Sequence, residues 1–299
     1  MWAPDVTTPI LAIVGPTASG KTALGLDLAE RLGGELINAD AMQLYRGMDI
    51  GTAKTPVAER RGIPHHQIDV LELSEDAAVA TYQRKARADV VSIRSGCRVP
   101  VVVGGSGLYL RALLDEMEFP GTDPEVRAAV AARAEEIGGA ALHAELAARD
   151  PAAAAVIDAR NVRRVVRALE VIELTGRPFT ATLPRQEYVE PAMQVGIAVE
   201  RDELRRRIAV RVDQMIADGF AEEVAGLGEV SKTAAGATGY PEMRAYLAGE
   251  ATLDETREAI VTATARLAKR QMTWFRRDRR IDWFEDSAEA LESILARLG

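Results

Sequence analysis

Residues 15–22 read Gly15-Pro16-Thr17-Ala18-Ser19-Gly20-Lys21-Thr22, and no other feature restricts the fold as strongly. The octet fits G-x-x-x-x-G-K-[ST] and stands in the setting that pattern requires, after a strand and before a helix. The strand is the apolar run 10–14 (ILAIV), bounded by Pro9 and Gly15, as expected of a parallel strand buried on both faces. The helix is 21–32, with Leu24, Leu28 and Leu32 four residues apart and Gly33-Gly34 as its stop. Gly15 and Gly20 let the backbone curl so that its N–H groups point inward, and the helix N-terminus adds positive partial charge. Lys21 supplies a full charge for terminal phosphates, and the Thr22 hydroxyl is placed to hold Mg²⁺. The loop specifies a di- or triphosphate; it does not specify a nucleotide.

Strands and helices then alternate. A second strand, 35–39 (ELINA), ends at Asp40. Residues 75–95 carry helical periodicity through Tyr82, Ala86 and Val90. A third apolar run, 99–103, has Pro100 near its start and ends at Gly104-Gly105. Strand, helix, strand at this spacing predicts a parallel sheet with helical crossovers. From about 118 the character changes. Phe119-Pro120-Gly121 reads as a linker, and 124–175 is Ala-rich with no strand candidate. The segment 177–194 holds Pro178, Pro184 and Pro191 and reads as loop. Residues 195–199 (VGIAV) read as a strand returning to the sheet, followed by long helices over 201–218 and 254–277. The fold class is α/β: a P-loop NTPase-like parallel sheet flanked by helices, with an inserted all-helical domain. The expected boundaries are 1–117 and 195–299 for the core and 118–194 for the insertion.

Composition narrows the chemistry. One cysteine, Cys97, and three histidines, His65, His66 and His143, exclude an internal disulfide and a Cys-rich zinc site. A reducing cytoplasm suits that usage, and 1–8 shows no secretory pattern. Apolar runs of about five residues fall far short of the roughly 20 a membrane helix needs. The formal net charge of -8 speaks against general affinity for nucleic acid, whose phosphates attract basic surfaces. Two stretches oppose that global sum. Residues 160–167 hold four arginines and no acid, and 266–280 hold seven basic residues against Asp278.

Ligands of open α/β sheets sit beyond the carboxyl ends of the strands. Asp40 and Ser106, each just past a strand end, are therefore expected near the bound phosphates. An ordinary P-loop NTPase carries an Asp at the end of a later strand to help hold Mg²⁺. Here the run 99–103 ends in Gly104-Gly105-Ser106, which weakens a kinase reading.

With these residues in view, the chain resembles the bacterial tRNA dimethylallyltransferases, also called tRNA isopentenyltransferases. The resemblance is carried by the P-loop octet, by Asn38-Ala39-Asp40-Ala41-Met42-Gln43-Leu44-Tyr45, and by Gly47-Met48-Asp49-Ile50-Gly51-Thr52-Ala53-Lys54. It continues through His65-His66 with Ile68-Asp69, Gly104-Gly105-Ser106-Gly107-Leu108-Tyr109, and Arg163-Arg164 with Arg167-Ala168-Leu169-Glu170. It ends with Lys269-Arg270-Gln271 and Thr273-Trp274-Phe275-Arg276, so it runs from about 10 to 285. The resemblance implies transfer of a dimethylallyl group from dimethylallyl diphosphate to N6 of the adenosine immediately 3′ of a tRNA anticodon, with release of pyrophosphate and no consumption of ATP. It implies Mg²⁺ held by Thr22. It implies a diphosphate site of Gly15, Pro16, Thr17, Ala18, Ser19, Gly20, Lys21, Thr22 and Arg211. Asp40, Ser106 and Lys21 carry the catalytic roles. The anticodon stem-loop is expected at Asp40, Ala41, Met42, Gln43, Ser106, Arg127, Arg163, Arg164 and Arg167. A cytoplasmic monomer without a membrane partner is implied.

The sequence departs from that pattern at one turn. Gly239-Tyr240 is preceded by Gly236 and followed by Pro241, where many members have basic residues, and Arg244 stands as a substitute. Gly299 ends the chain as in compact bacterial members. His65 and His66 read as anchors of the loop before Ile68-Asp69. An adenylate (AMP or ADP) dimethylallyltransferase is the alternative, followed by a P-loop small-molecule kinase. A regulatory switch is disfavoured by the absence of a guanine-recognition pattern.

Overall fold

A computed structural model of the chain describes residues 8–182 and 186–298. The readings made on 1–7, Pro184 and Gly299 lie outside the described residues. The chain folds into two compact units, Met1–Leu114 with Tyr188–Gly299, and Asp115–Glu187.

The first unit begins with β1 (Ile10–Val14), α1 (Lys21–Leu32), β2 (Gly34–Asn38) and β3 (His65–His66). It continues with α2 (Val79–Ser95), β4 (Val99–Gly104) and α3 (Gly107–Leu114). The second unit supplies α4 (Pro124–Ile137), α5 (Gly139–Arg149), α6 (Pro151–Val156) and α7 (Val162–Thr175). The chain then returns through β5 (Ala192–Ile197), α8 (Arg201–Ala217), α9 (Phe220–Gly226), α10 (Lys232–Ala235) and α11 (Tyr240–Leu247). It closes with α12 (Leu253–Phe275), β6 (Ile281–Phe284) and α13 (Ser287–Leu298).

The six strands form one sheet in the order β3-β2-β4-β1-β5-β6, and every pairing is parallel. Alternation along β1 sorts its side chains between two cores. Ile10, Ala12 and Val14 face Tyr82, Ala86 and Val90 of α2 and Leu110 and Leu113 of α3. Leu11 and Ile13 face Leu24 and Leu28 of α1 and Leu291 and Ile294 of α13. Both faces are thus covered, which is why β1 is apolar at every position. A third core lies among Tyr45, Met48, Ile208, Val212, Phe220, Tyr240, Ile260 and Ala268. It packs helices α8, α9, α11 and α12 on the segment that follows β2. With β1 between β4 and β5, the Gly-rich loop leaves the middle of the sheet and has the end of β4 beside it.

The strands at the sheet's two edges were not legible. β3 is two half-buried histidines, and β6 (IDWF) mixes apolar and polar positions, so neither shows an apolar run. α3 was missed because Gly107 opens it. β5 starts at Ala192 rather than 195 because Ala192 and Met193 already pair with Ile10 and Leu11.

The second unit has its own core, built on Val130, Leu142, Leu146, Val165, Leu169 and Ile172. It runs over 115–187 rather than 118–194. The returning chain rejoins the first unit early, where the Val189 N–H donates to the Leu114 carbonyl at 2.9 Å. Asp123 caps α4 by accepting from the N–H groups of Glu125 and Val126 at 2.8 and 3.2 Å. Glu170 is fully buried and joins α7 to α4. It accepts from Arg127 at 3.0 Å, from Arg167 at 3.0 Å and from the Asp123 N–H at 3.3 Å. Removing that carboxylate strands three donors around a cavity. Glu170→Ala is expected to destabilise this unit by about 2–3 kcal/mol. Urea unfolding by circular dichroism checks the loss, and hydrogen exchange should place it in α4 and α7.

Candidate active site

The loop between β1 and α1 is held in a strained form. Ala18 sits at φ 63, in the left-handed region, where a side chain is unfavourable unless the surroundings enforce it. Gly20 sits at φ 95 and leads into α1 without a side-chain cap, so the first N–H groups of that helix stay available to a ligand. Ser19 is buried, and its hydroxyl has no partner among the described residues. The Lys21 ammonium donates to the Pro16 carbonyl at 2.5 Å.

The long helix α12 braces this loop. Gln271 accepts from the Thr17 N–H at 2.9 Å through Oε1 and donates to the Gly105 carbonyl at 3.1 Å through Nε2. The approach is possible because β4 ends in glycine. A Cβ on Gly105 would lie 2.3 Å from Gln271 Nε2, and one on Gly107 would lie 2.1 Å from the Trp274 ring. A Cβ on Gly104 would lie 2.2 Å from the Ala39 carbonyl oxygen. No acidic side chain fits at that strand end, which accounts structurally for the missing Asp. From α8, Arg211 donates to the Thr17 hydroxyl at 3.3 Å.

Asp40 is held on the turn after β2. The Asn38 side chain brackets it, accepting from the Asp40 N–H and donating to the Asp40 carbonyl, both at 3.0 Å. The Ser106 N–H donates to the Ala39 carbonyl at 3.1 Å, and Ser106 Oγ accepts from the Ala41 N–H at 3.1 Å. Asp40 Oδ1 accepts from the Met42 N–H at 3.0 Å, and the Gln43 N–H also supports the carboxylate. Gln43 is turned inward, its amide donating to the Thr52 carbonyl at 3.1 Å.

Two cavities meet these groups. The larger, about 1040 Å³, is lined by Lys21, Thr22, Lys54, Arg60 and Arg211 among others. The smaller, about 90 Å³, has polar groups from Thr17, Asp40, Arg211 and Gln271 and apolar walls from Ile208, Val212, Phe220 and Ile260. Arg211 and Ala53 line both. Burial dominates the electrostatics. It lowers Lys21 to about 8, against the opposing pull of the Asp40 charge and with a further push from Arg211. It raises Asp40 above the usual carboxylate range, although the Met42 N–H and the Lys21 charge pull the other way. It lowers Arg211 as well. A half-buried anion hole with an acceptor alongside it is what these groups make.

The arrangement matches known proteins over most of its length. Residues 43–278 fit the family profile described as IPP transferase. The chain belongs to the IPP transferase family. It is 57% identical over 282 residues to a tRNA dimethylallyltransferase from a Nocardioides species, covering 92% of this chain and 91% of the relative. It is 54% identical to a tRNA dimethylallyltransferase from Kocuria rhizophila, over 94% of this chain and 90% of the relative. Among solved structures it superposes on the tRNA isopentenylpyrophosphate transferase of Bacillus halodurans with a TM-score of 0.69 and 39% identity, covering 97% of this chain and 96% of that one.

Several residues hold the site through contacts that no local pattern specifies. Lys54 is almost fully buried and donates to Asp49 at 2.7 Å, to Asp69 at 2.5 Å and to the Tyr45 carbonyl. Glu223 accepts from three successive N–H groups, those of Asp49, Ile50 and Gly51, at 2.7, 2.6 and 3.0 Å. Tyr240 is fully buried and donates to Glu223 at 2.7 Å. The Gly239-Tyr240 turn thus faces the protein interior, and Arg244 donates to the Ala235 carbonyl at 3.3 Å. The two histidines are structural. His65 Nδ1 bonds the Ile63 carbonyl at 2.8 Å, and burial lowers its pKa. His66 Nε2 meets Glu35 at 2.7 Å, and Asp89 and Glu35 raise its pKa.

The second unit collects the expected arginines in two ways. Arg127 and Arg167 are tied to Glu170. Arg163 and Arg164 are exposed, have no ion pair among the described residues, and line a groove of about 860 Å³.

Lys54 gives a direct test of how the 49–54 segment is held. Lys54→Met leaves Asp49 and Asp69 facing each other without a cation, and Asp49 is solvated enough to soften the effect. A loss of about 2 kcal/mol is expected, read as a lower midpoint in urea unfolding.

Proposed function

We propose that the chain transfers a dimethylallyl group from dimethylallyl diphosphate to N6 of the adenosine immediately 3′ of a tRNA anticodon, releasing pyrophosphate. One observation carries the reading: Asp40, Arg211 and Thr17 of the phosphate-type loop line the same small apolar-walled cavity. An ATP-dependent kinase has no use for a five-carbon apolar recess between its phosphate grip and its base. The names of the relatives support the same activity.

The chemistry follows from the positions. The allylic C–O bond breaks and positive charge grows on that carbon, so the departing pyrophosphate must be stabilised. Lys21, Arg211 and the N–H groups of the loop supply that, and the unpartnered Ser19 hydroxyl is placed to join them. Magnesium fits the residues as an ion shared with the substrate. No group of three His, Cys, Asp or Glu ligands exists among the described residues, and Thr22 is exposed and lines the larger cavity. Thr22 would hold the ion, which would neutralise diphosphate charge.

The exocyclic amine of adenine is a weak nucleophile because its lone pair is delocalised. The Asp40 carboxylate orients it and receives its proton as the C–N bond forms. Burial makes Asp40 a stronger base than a solvated carboxylate. Ser106, accepting from Ala41, keeps its own proton to donate. The base must leave its stack to bring its amine to Asp40. Arg163 and Arg164, free of internal partners, are the phosphate contacts the second unit offers; Arg127 and Arg167 shape the helix that carries them.

The decisive experiment supplies Mg²⁺ and labelled dimethylallyl diphosphate with unmodified tRNA or with AMP. Label on tRNA is expected, and label on AMP alone would overturn the reading. Asp40→Ala should reduce transfer by about 10³-fold or more while tRNA affinity stays within about tenfold.

The pH dependence has a definite sign. The active free enzyme has Asp40 ionised and Lys21 charged. On the acid side kcat/KM rises as pH climbs through the elevated Asp40 pKa. On the basic side it falls as Lys21 loses its proton near pH 8. Bound diphosphate holds that proton on Lys21, so the basic limb of kcat should lie higher than that of kcat/KM. Coincident limbs would show that Lys21 does not meet the diphosphate.

A further inference from the structure

The small cavity has room for little. An apolar cavity of about 150 Å³ takes a six-carbon benzene ring, so about 90 Å³ is at most the size of one five-carbon unit and too small for two. Three of its lining residues, Gly51, Thr52 and Ala53, belong to a segment with no helix or strand of its own. Such a wall stays put only if something outside the ladder of secondary structure fixes it.

The Gln43 amide holds the Thr52 carbonyl, and Glu223 pins the stretch that leads into the wall at Gly51. Its Oε2 accepts from the N–H groups of Asp49 and Ile50, and its Oε1 accepts from the Gly51 N–H and the Tyr240 hydroxyl. Four donors thus converge on one carboxylate from α9. Behind it, Phe220 and Tyr240 meet edge to face with centroids 5.1 Å apart. Gly51 lies against both rings, close enough that a Cβ would sit 2.3 Å from Phe220 and 2.6 Å from Tyr240. The segment is therefore seated on an aromatic pair and pinned through its backbone, and Phe220 itself lines the cavity.

We propose that Glu223, oriented by Tyr240, is a positioning residue that sets the chain-length limit of the prenyl pocket. It holds the 51–53 wall inward so that one isoprene unit fits and two do not. This rests on the prenyl-transfer reading, which the wild-type assay tests separately. Glu223 touches neither the diphosphate nor the reacting atoms; it acts through the wall.

The test compares dimethylallyl and geranyl diphosphate as donors to one unmodified anticodon stem-loop, in wild type, Glu223→Gln and Tyr240→Phe. Glu223→Gln keeps the shape but turns an amide N–H₂ toward one of the two donor pairs, Asp49 with Ile50 or Gly51 with Tyr240, so at least one pinning contact becomes repulsive. The ratio of kcat/KM for the ten-carbon to the five-carbon donor is expected to rise at least tenfold. KM for the five-carbon donor should rise severalfold, and stem-loop affinity should stay within twofold. Tyr240→Phe removes a single donor, leaves the backbone contacts in place, and should shift the ratio in the same direction by less. It also keeps the question open to measurement if Glu223→Gln folds poorly. Equal losses on both donors, with the ratio unchanged, would mean that Glu223 only stabilises the fold and would overturn the proposal. Wild-type failure with both donors would instead overturn the prenyl-transfer reading.

Discussion

One side-chain amide holds the site together. Gln271 binds the Thr17 N–H with its oxygen and the Gly105 carbonyl with its nitrogen, so it bridges the loop after β1 and the turn after β4. Both partners are otherwise unpaired loop backbone, and a buried backbone group without a partner costs about 1–3 kcal/mol. The bridge therefore fixes α12 against the sheet at the point where phosphate-binding groups and strand ends converge. Trp274, one turn further along α12, closes on Gly107. The glycines at the end of β4 exist to let this helix come close.

That close approach has an electrostatic consequence. Lys21, Arg211 and Asp40 are shielded from water by the helices that cover the strand ends, and burial drives all three toward their neutral forms. Two cations outnumber one acid there. The free site thus carries an excess of poorly solvated positive charge, which a bound diphosphate would relieve. In the proposed reaction the same low exposure to water would strengthen the grip on the leaving group as its charge grows. Substrate affinity and leaving-group stabilisation would then share one cause, the covering of the strand ends by α8 and α12.

The centre of this arrangement was readable from the chain alone, and its supports were not. β1 and α1 fall where the apolar run and the leucine spacing put them, because a strand buried on both faces and a helix with one apolar stripe leave periodic marks. Asp40 and Ser106 were placed by topology, since residues just past parallel strand ends gather at one edge of the sheet. Gln271 stands 254 residues from Thr17 and 166 from Gly105, and no local pattern announces a contact of that range. Glu223 looks like an ordinary surface charge in sequence, and nothing local marks Lys54 as buried. Arg167 shows the converse: its spacing with Arg160, Arg163 and Arg164 suggested a basic face, yet Glu170, three residues on and buried, pairs with it and with Arg127. Burial of a charge is a tertiary fact that composition cannot supply.

The net charge of -8 is reconciled with an RNA substrate by where the cations are left unpaired. Some acids are occupied by the fold's own cations, as Asp49 and Asp69 are by the buried Lys54 and Glu170 is by its arginines. Along 266–280, by contrast, Arg266, Lys269, Arg270, Arg276, Arg277 and Arg279 are exposed with no ion pair among the described residues. Only Arg280 in that run is held internally, by Asp278 and over the Tyr188 ring. Phosphate recognition depends on cations that a polyanion can reach, and counterion release counts those alone. A chain can be acidic in sum and still present a local basic surface, provided its acids are spent on its own interior and its far faces. The salt dependence of RNA binding would then follow that local surface rather than the net charge.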